Sequence, residues 1–248
     1  MNPMQQQKKI LIVGASSGIG RALAEVLAAR GHTVGITARR GDLLDGLAAS
    51  RPGRFFPRVV DVTDTAACAG LLNGLATDMG GVDVVVISAG GGDVNEALDF
   101  DVEQRMIALN VEGFTAVADW AFNYFLARGS GHLAAITSIA GIRGSRQSPG
   151  YSAVKAYQIN YLQGLRQKAR KARRDRRAAI TVTDICPGFV DTAKAKAPIR
   201  FWVAPVEKAA EQISEGLRRR RAVVYVTRRW RIIALLYRWL PRWLHERM

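Results

Sequence analysis

A tyrosine and a lysine four residues apart, Tyr151 and Lys155, are the residues of this chain best suited to proton transfer. On a helix, residues at i and i+4 lie on one face, so this spacing places an ammonium group beside a phenol. A nearby positive charge favours the phenolate, and we expect the pKa of Tyr151 to fall from about 10 toward neutrality. Such a phenol can donate a proton to a substrate oxygen, or accept one from it. The same spacing also arises by chance on amphipathic helices, so its meaning depends on the rest of the chain.

A glycine-rich segment, residues 14–20, lies between an apolar run at residues 8–13 and an amphipathic helical pattern. In a strand–turn–helix unit, glycines let the backbone approach a phosphate group, and the helix N-terminus offers N–H groups to it. An ordinary strand–helix loop can look the same, but the position after the first strand favours a phosphate-bearing cofactor. The predicted cofactor contacts in this turn are Gly14, Ser16, Ser17, Gly18, Ile19 and Gly20.

The second predicted strand, residues 33–38, ends in Arg39 and Arg40. In a dinucleotide-binding fold this strand end faces the adenosine ribose, where an acid binds a free 2′-hydroxyl and an arginine suits a 2′-phosphate. No acid stands there, and Asp42 is placed to be the N-cap of the next helix. These residues favour NADP(H) over NAD(H); the alternative is a solvated pair of surface arginines.

Strands and helices alternate along the chain, with strands predicted at residues 8–13, 33–38, 55–60, 82–87, 133–137, 180–185 and 222–226. This alternation predicts an α/β fold, a doubly wound parallel sheet. We expect residues 1–227 to form a single domain and residues 228–248 to form a basic amphipathic tail. Ligands bind outside the carboxyl ends of the strands in such sheets, so residues at those ends are the candidates for a site.

Five short signatures fall at these strand ends, and in this order they resemble the short-chain dehydrogenase/reductase family over residues 8–226. They are the glycine-rich turn, Asp61–Val62, Asn110, Ser138 with Tyr151 and Lys155, and Pro187–Gly188. The resemblance implies a three-layer, Rossmann-type fold and hydride transfer between a nicotinamide and a carbonyl/alcohol pair. Ser88 stands where the family usually has asparagine, and Ser17 where NADP-preferring members often have a basic residue. The NADP(H) preference therefore depends mainly on Arg39.

The resemblance also implies a role for each site residue. Tyr151 would be the general acid in reduction and the base in oxidation, with Lys155 lowering its pKa and holding the nicotinamide ribose. Ser138 would hydrogen-bond the substrate oxygen, and Asn110 would organise the water chain that relays the proton. From the residues alone, Asn110 is either a structural bridge or part of a site. The further cofactor contacts implied are Asp61, Val62, Ser88, Ala89, Gly90, Pro187, Gly188, Val190 and Thr192.

The net charge of +15 is concentrated in two stretches, residues 166–177 and 217–248, and the rest of the chain is close to neutral. No nucleic-acid-binding motif accompanies them, so we expect no nucleic-acid partner. The two cysteines, Cys68 and Cys186, match no metal-binding or redox spacing, which predicts no metal site and a reducing, cytoplasmic setting. No run approaches the roughly 20 uncharged apolar residues of a membrane span.

The tail places apolar residues at helical spacing, with arginines on the other side, and Pro241 should kink or end the helix. We favour packing of the apolar face on the protein's own body or on a second subunit, because most amphipathic helices face a core. The alternative is an interfacial helix on an anionic bilayer, which combines tryptophans and arginines in this way. The apolar face is formed by Ile232, Leu235, Leu236, Trp239, Leu240, Trp243 and Leu244.

These patterns predict an NADP(H)-dependent oxidoreductase acting on an apolar carbonyl or alcohol substrate. The expected apolar lining comes from Ile199, Phe201, Trp202 and Val203. The family resemblance implies a homodimer or homotetramer. Two alternatives stay open: a non-catalytic NADP-binding sensor or scaffold, and a membrane-surface reductase of lipid-like substrates.

Overall fold

A seven-stranded parallel sheet forms the centre of the protein in a computed structural model that describes residues 7–192 and 201–247. The strands are β1 (Lys9–Val13), β2 (Thr33–Ala38), β3 (Phe55–Val59), β4 (Val84–Ile87), β5 (Ser130–Ile136), β6 (Ala179–Pro187) and β7 (Val223–Val226). Their order is β3-β2-β1-β4-β5-β6-β7, and every neighbouring pair is parallel. From β1 the chain adds β2 and β3 on one side of the sheet. It then crosses to the other side of β1 and adds β4, β5, β6 and β7 there.

Helices cover both faces of the sheet. They are α1 (Gly18–Ala29), α2 (Gly41–Ala49), α3 (Thr65–Asp78), α4 (Phe100–Ile107), α5 (Phe114–Arg128), α6 (Pro149–Arg174), α7 (Val206–Arg218), α8 (Trp230–Trp239) and α9 (Arg242–His245). Apolar residues of α1, α2 and α7 pack on one face, and those of α3, α5 and α6 pack on the other. The predicted three-layer, doubly wound α/β fold is confirmed.

The central strands are apolar because both of their faces are covered. All four residues of β4, VVVI, are buried, as expected for a strand between two helical layers. The registers of β1 with β4 and of β4 with β5 bring the carboxyl ends of these strands to one edge. Because the connections diverge between β1 and β4, a crevice opens there, and ligands bind in such a crevice. The predicted site residues follow these strand ends.

The start of α2 differs from the prediction. The helix begins at Gly41, and Arg40 is the N-cap residue, with an extended backbone (φ −92°, ψ 96°). Asp42 therefore lies inside the first turn, and the prediction that it caps the helix is wrong. Its carboxylate is still favourable there, because acidic groups stabilise the positive end of the helix dipole.

The tail forms α8 and α9, and Pro241 ends the first helix as predicted. Trp230 and Ala234 are buried against Ile139 and Cys186, so one side of α8 packs on the body of the protein. That side is not the predicted apolar face. The predicted face is largely exposed, so the prediction that it packs on the protein's own body is wrong. The reason is that α8 is apolar on two opposite sides, and helical spacing does not show which one finds a partner.

Within the described ranges, no helix combines the length and the apolar character needed to cross a bilayer.

Candidate active site

The glycine-rich turn closes tightly against the segment that follows β4. Gly14 has φ +97°, and its N–H and that of Ala15 donate to Thr37 O at 2.8 and 2.9 Å. A Cβ at Gly14 would lie 2.3 Å from Ala89 N, and a Cβ at Gly20 would lie 2.1 Å from Gly14 O. Only glycine fits both positions, so the backbone itself forms the wall of the cradle. α1 begins within this segment, at Gly18, so its first N–H groups, which have no partner inside the helix, lie at the cradle.

The guanidinium group of Arg40 contacts this turn. Arg40 Nη2 donates to Ser16 Oγ at 2.9 Å and to Ser17 Oγ at 3.0 Å, and all three side chains keep solvent access. Arg39, which the sequence favoured for the 2′-phosphate, acts electrostatically on Asp61 instead. An arginine and two hydroxyls beside a helix N-terminus form a set of donors that suits a phosphate group. The residues present therefore fit an anionic, phosphate-bearing cofactor.

Asp61 and Val62 line the next strand end. Burial alone would raise the pKa of the Asp61 carboxyl, but hydrogen bonds from Thr63 N (3.0 Å) and Thr63 Oγ1 (2.8 Å), together with Arg39, bring its pKa below the ordinary value. The carboxylate is therefore held ionised and in a fixed orientation. Val62 is buried and packs against Gly113, where a Cβ would come within 2.8 Å of it.

Asn110 lies in a π-helical turn, residues Ala108–Gly113, between α4 and α5. Its Nδ2 donates to Gly91 O at 2.8 Å and to Met106 O at 2.9 Å, and its Oδ1 accepts from Gly91 N at 3.3 Å. The side chain is thus a bridge that fixes the glycine run after β4. The main-chain carbonyl of Asn110 accepts from Gln158 Nε2 at 2.9 Å, outside the helical pattern. π turns interrupt regular helices in this way and are frequent at functional sites.

Lys155 is buried, and two of its hydrogen-bond acceptors lie on β5 and on its own helix. Its Nζ donates to Ile136 O at 3.2 Å and to Gln158 Oε1 at 2.8 Å. The Gln158 amide therefore spans the space between the lysine ammonium and the Asn110 carbonyl. Sequence reasoning missed Gln158, although its position three residues after Lys155 places it on the same face of α6.

Tyr151 lies beside Ser138 at the carboxyl end of the sheet, as predicted. Burial raises its pKa, hydrogen bonding with Ser138 opposes that shift, and Cys186 adds to it. Lys155 Nζ is 5.9 Å from the centre of the tyrosine ring. The prediction that this phenol has a lowered pKa is therefore wrong for this structure. Loss of hydration is the largest effect on the phenol, and the Lys155 ammonium donates to Ile136 O and Gln158 Oε1.

The surroundings of Tyr151 and Lys155 include further residues that the sequence did not single out. A Cβ at Gly92 would lie 2.3 Å from the ring of Tyr151, so the glycine lets the loop pack on the phenol. Asp184 is buried and accepts from Thr137 Oγ1 at 2.6 Å. Burial raises the pKa of Asp184, while Thr137, Arg166 and Lys155 lower it. Asp184 lies inside β6, and a single buried carboxylate within a strand has no recognisable sequence pattern.

The segment after β6 forms the remaining wall. Gly188 N donates to Val226 O at 2.7 Å, and a Cβ at Gly188 would overlap the ring of Trp230, so Gly188 makes room for α8. Val190 is buried and pairs with Ala204. Thr192 lies within 3.5 Å of the position a Cβ at Gly18 would take, which places it at the glycine-rich turn.

Three of the four residues expected to line the substrate pocket are described. Phe201, Trp202 and Val203 are partly exposed, and the rings of Phe201 and Trp202 pack on Trp230. Ile199 lies outside the described residues. Phe201 and Trp202 form an aromatic cluster with Trp230, and the role of the four residues as the lining of a substrate pocket stays a prediction.

Comparisons with known proteins identify the family and agree with the fold. The short chain dehydrogenase family model matches residues 8–200. An uncharacterized oxidoreductase of Myxococcus xanthus is 34% identical over 222 residues, which cover 86% of this chain and 85% of that protein. An uncharacterized oxidoreductase of Staphylococcus aureus is 34% identical over 190 residues, which cover 75% of this chain and 79% of that protein.

Solved structures show the same fold. A short chain dehydrogenase from Burkholderia cenocepacia in complex with NADP has a TM-score of 0.82 at 20% identity, with 98% of each chain covered. A short-chain dehydrogenase from Sphingobium yanoikuyae in complex with NADPH has a TM-score of 0.77 at 25% identity, with 92% of each covered. Because the family model matches most of this chain, the chain belongs to the short-chain dehydrogenase/reductase family of oxidoreductases.

Proposed function

We propose that this protein is an NADP(H)-dependent oxidoreductase that interconverts an apolar carbonyl compound and its alcohol. The observation that carries the proposal is the convergence of Tyr151, Ser138 and Lys155 on the strand edge that also holds the glycine-rich turn. A proton donor, a hydroxyl and a phosphate cradle are then brought to one crevice.

The cofactor would be held by this chain along the whole crevice. The glycine-rich turn would take the pyrophosphate, and Arg40 with Ser16 and Ser17 would bind the 2′-phosphate. Asp61 and Val62 would flank the adenine, and Lys155 the nicotinamide ribose. Gly188, Val190 and Thr192 would border the nicotinamide. When bound, the nicotinamide donates or accepts the hydride.

The chain itself supplies orientation and a proton. Ser138 would donate to the carbonyl oxygen of the substrate and fix its position, and Tyr151 would transfer its phenolic proton to that oxygen as the alcohol forms. In oxidation the phenolate would take the proton back. Lys155 would then return a proton to the phenolate and be reprotonated from solvent through a water chain organised at Asn110, with Gln158 holding Lys155 and the Asn110 carbonyl in place.

The raised pKa of Tyr151 predicts different pH profiles for the two directions. Reduction needs the protonated phenol, so its rate should stay constant through neutral pH and fall only above the raised pKa. Oxidation needs the phenolate, so its rate should keep rising with pH. Measuring kcat/KM in both directions from about pH 6 to the ordinary tyrosine pKa of about 10 tests this. An oxidation rate that levels off near neutral pH would show that Lys155 lowers the pKa once cofactor is bound.

Gln158→Leu should lower kcat by about tenfold, because an amide that holds the Lys155 ammonium and the Asn110 carbonyl is replaced by an apolar group of similar size. With one of its acceptors removed, the Lys155 ammonium can turn toward Tyr151 and stabilise the phenolate, so oxidation should also begin at a lower pH. Gln163→Leu, an exposed change on the same helix, is the control. An unshifted pH profile with a loss of thermal stability only would assign Gln158 a purely structural role.

Cofactor oxidation with a panel of ketones tests the function as a whole. NADPH consumption that depends on an apolar ketone supports the proposal. Tight NADPH binding without turnover of any ketone would favour a non-catalytic sensor or scaffold. The homodimer or homotetramer that the family resemblance implies is measured separately, by sedimentation velocity.

A further inference from the structure

Helices α8 and α9 present a row of large apolar side chains to solvent. Ile232 is 60% exposed, Leu235 and Leu236 are each 58% exposed, Trp239 is 80% exposed and Trp243 is 60% exposed. The four on α8 lie on the side of that helix opposite to Trp230 and Ala234, which are buried, and Trp243 extends the row onto α9. Exposed apolar surface of this extent normally marks a binding surface.

Arginines flank this apolar row. Arg231 and Arg238 project from α8, and with Arg221 and Arg228 they line a cleft of about 570 Å³ that also borders Leu235. In the described part of the chain, none of these four guanidinium groups forms an ion pair. The nearby carboxylate of Glu215, which also lines the cleft, is paired with Arg218 and Arg219. The surface beside the apolar row is therefore strongly cationic.

The charge argues against a second copy of this chain as the occupant. In a symmetric dimer the same surface meets itself, so this contact would bring two clusters of arginines together. The exposure of the row shows that the rest of the described chain does not pack on it. A partner that is both apolar and anionic satisfies the two properties of the surface together.

We propose that α8 and α9 bind the surface of an anionic phospholipid bilayer. Leu236, Trp239 and Trp243 would enter the interface between headgroups and acyl chains, where tryptophan is favoured. Arg231 and Arg238 would contact lipid phosphates, and the arginine-lined cleft would accept a headgroup.

The surface is fixed to the catalytic side of the molecule. Arg143 Nε donates to Tyr237 O at 2.8 Å and its Nη2 donates to Leu240 O at 2.9 Å, which satisfies the last carbonyls of α8. Arg143 directly follows the 3₁₀ turn Ile139–Ile142, which begins beside Ser138. A bilayer bound to α8 would thus lie near the substrate side of the site. Entry of an apolar carbonyl compound from the bilayer into the active site rests on the proposed function. Binding of α8 and α9 to the bilayer does not depend on that function.

Vesicle co-sedimentation of the full chain tests the proposal without an activity measurement. We expect the protein to pellet with vesicles of phosphatidylglycerol and phosphatidylcholine, and much less with phosphatidylcholine alone. The double variant Leu236→Ser/Trp239→Ser should weaken binding by about tenfold or more, since it removes two inserted side chains. Arg231→Gln/Arg238→Gln should weaken it by about fivefold per arginine.

Matched control variants distinguish binding by this surface from nonspecific binding through other exposed apolar or basic residues. Phe100→Ser removes a similarly exposed aromatic ring on α4, and Arg173→Gln/Arg177→Gln removes two exposed arginines from the other basic stretch. Both should pellet like the wild type. Equal pelleting of all variants, or of both vesicle types, would overturn the proposal. So would self-association that the Leu236→Ser/Trp239→Ser variant abolishes without any vesicle binding, or binding to duplex DNA alone.

Discussion

Replacing Tyr151 by phenylalanine should lower carbonyl reduction by about 10²–10⁴-fold, the range that general acid catalysis contributes. The change removes one oxygen atom from a ring that Gly92 and the neighbouring loop hold in place, so the packing of the site should survive. The phosphate cradle and Arg40 are untouched. The variant should therefore bind NADPH with the affinity of the wild type, measured by fluorescence titration, while turnover measured by cofactor oxidation is lost.

A second tyrosine on the same helix provides the control. Tyr157 hydrogen-bonds Thr115 Oγ1 at 2.8 Å and stacks on Tyr161, away from the glycine-rich turn. Tyr157→Phe should retain most of the activity and lose only a little stability. If Tyr151→Phe keeps wild-type turnover, the proton comes from another group and the assignment is wrong.

Removing either arginine at the end of β2 should reduce the preference for NADPH over NADH by about tenfold to a hundredfold, the effect of losing a hydrogen bond to a charged group. Arg40→Ser removes the guanidinium that bonds Ser16 and Ser17, and it places a good N-cap residue at the start of α2. Arg39→Asp additionally puts a negative charge near the 2′-phosphate. Dissociation constants for both cofactors, measured for each variant, give the ratio directly.

Arg51→Ser, an exposed arginine after α2, is the matched control and should leave both constants unchanged. Because Arg40 contacts the turn and Arg39 faces Asp61, we expect Arg40→Ser to lose more NADPH affinity than Arg39→Ala would. An unchanged ratio in both variants would place recognition of the 2′-phosphate elsewhere in the crevice.

Much of the site could be predicted because the ligand-binding residues of a parallel sheet lie at the carboxyl ends of its strands. Once the sequence indicates a doubly wound sheet, the residues after β1, β4, β5 and β6 must meet at the same edge. Gly14, Ser88, Ser138 and Gly188 could thus be assigned to one crevice without coordinates. The helical spacing of Tyr151 and Lys155 likewise survives in α6, because local geometry alone determines it.

The sequence could not determine the direction of a buried side chain, nor how far the loss of its hydration shifts its pKa. The spacing of Tyr151 and Lys155 predicts a lowered tyrosine pKa, yet the ammonium is bonded to Ile136 O and Gln158 Oε1, and burial of the phenol dominates. Asn110 is similar: its side chain fixes the glycine run, and only a π-helical turn directs its carbonyl to Gln158.

The tail shows the same division between sequence and tertiary structure. Its amphipathic pattern, its arginines and the break at Pro241 follow from local properties of the chain, and the sequence by itself determined them. Which side of α8 is buried depended on Trp230 reaching the space over Gly188 and on Arg143 binding the end of the helix. Only the tertiary structure decided this, because contacts between residues far apart in the chain select one of two apolar faces of equal sequence character.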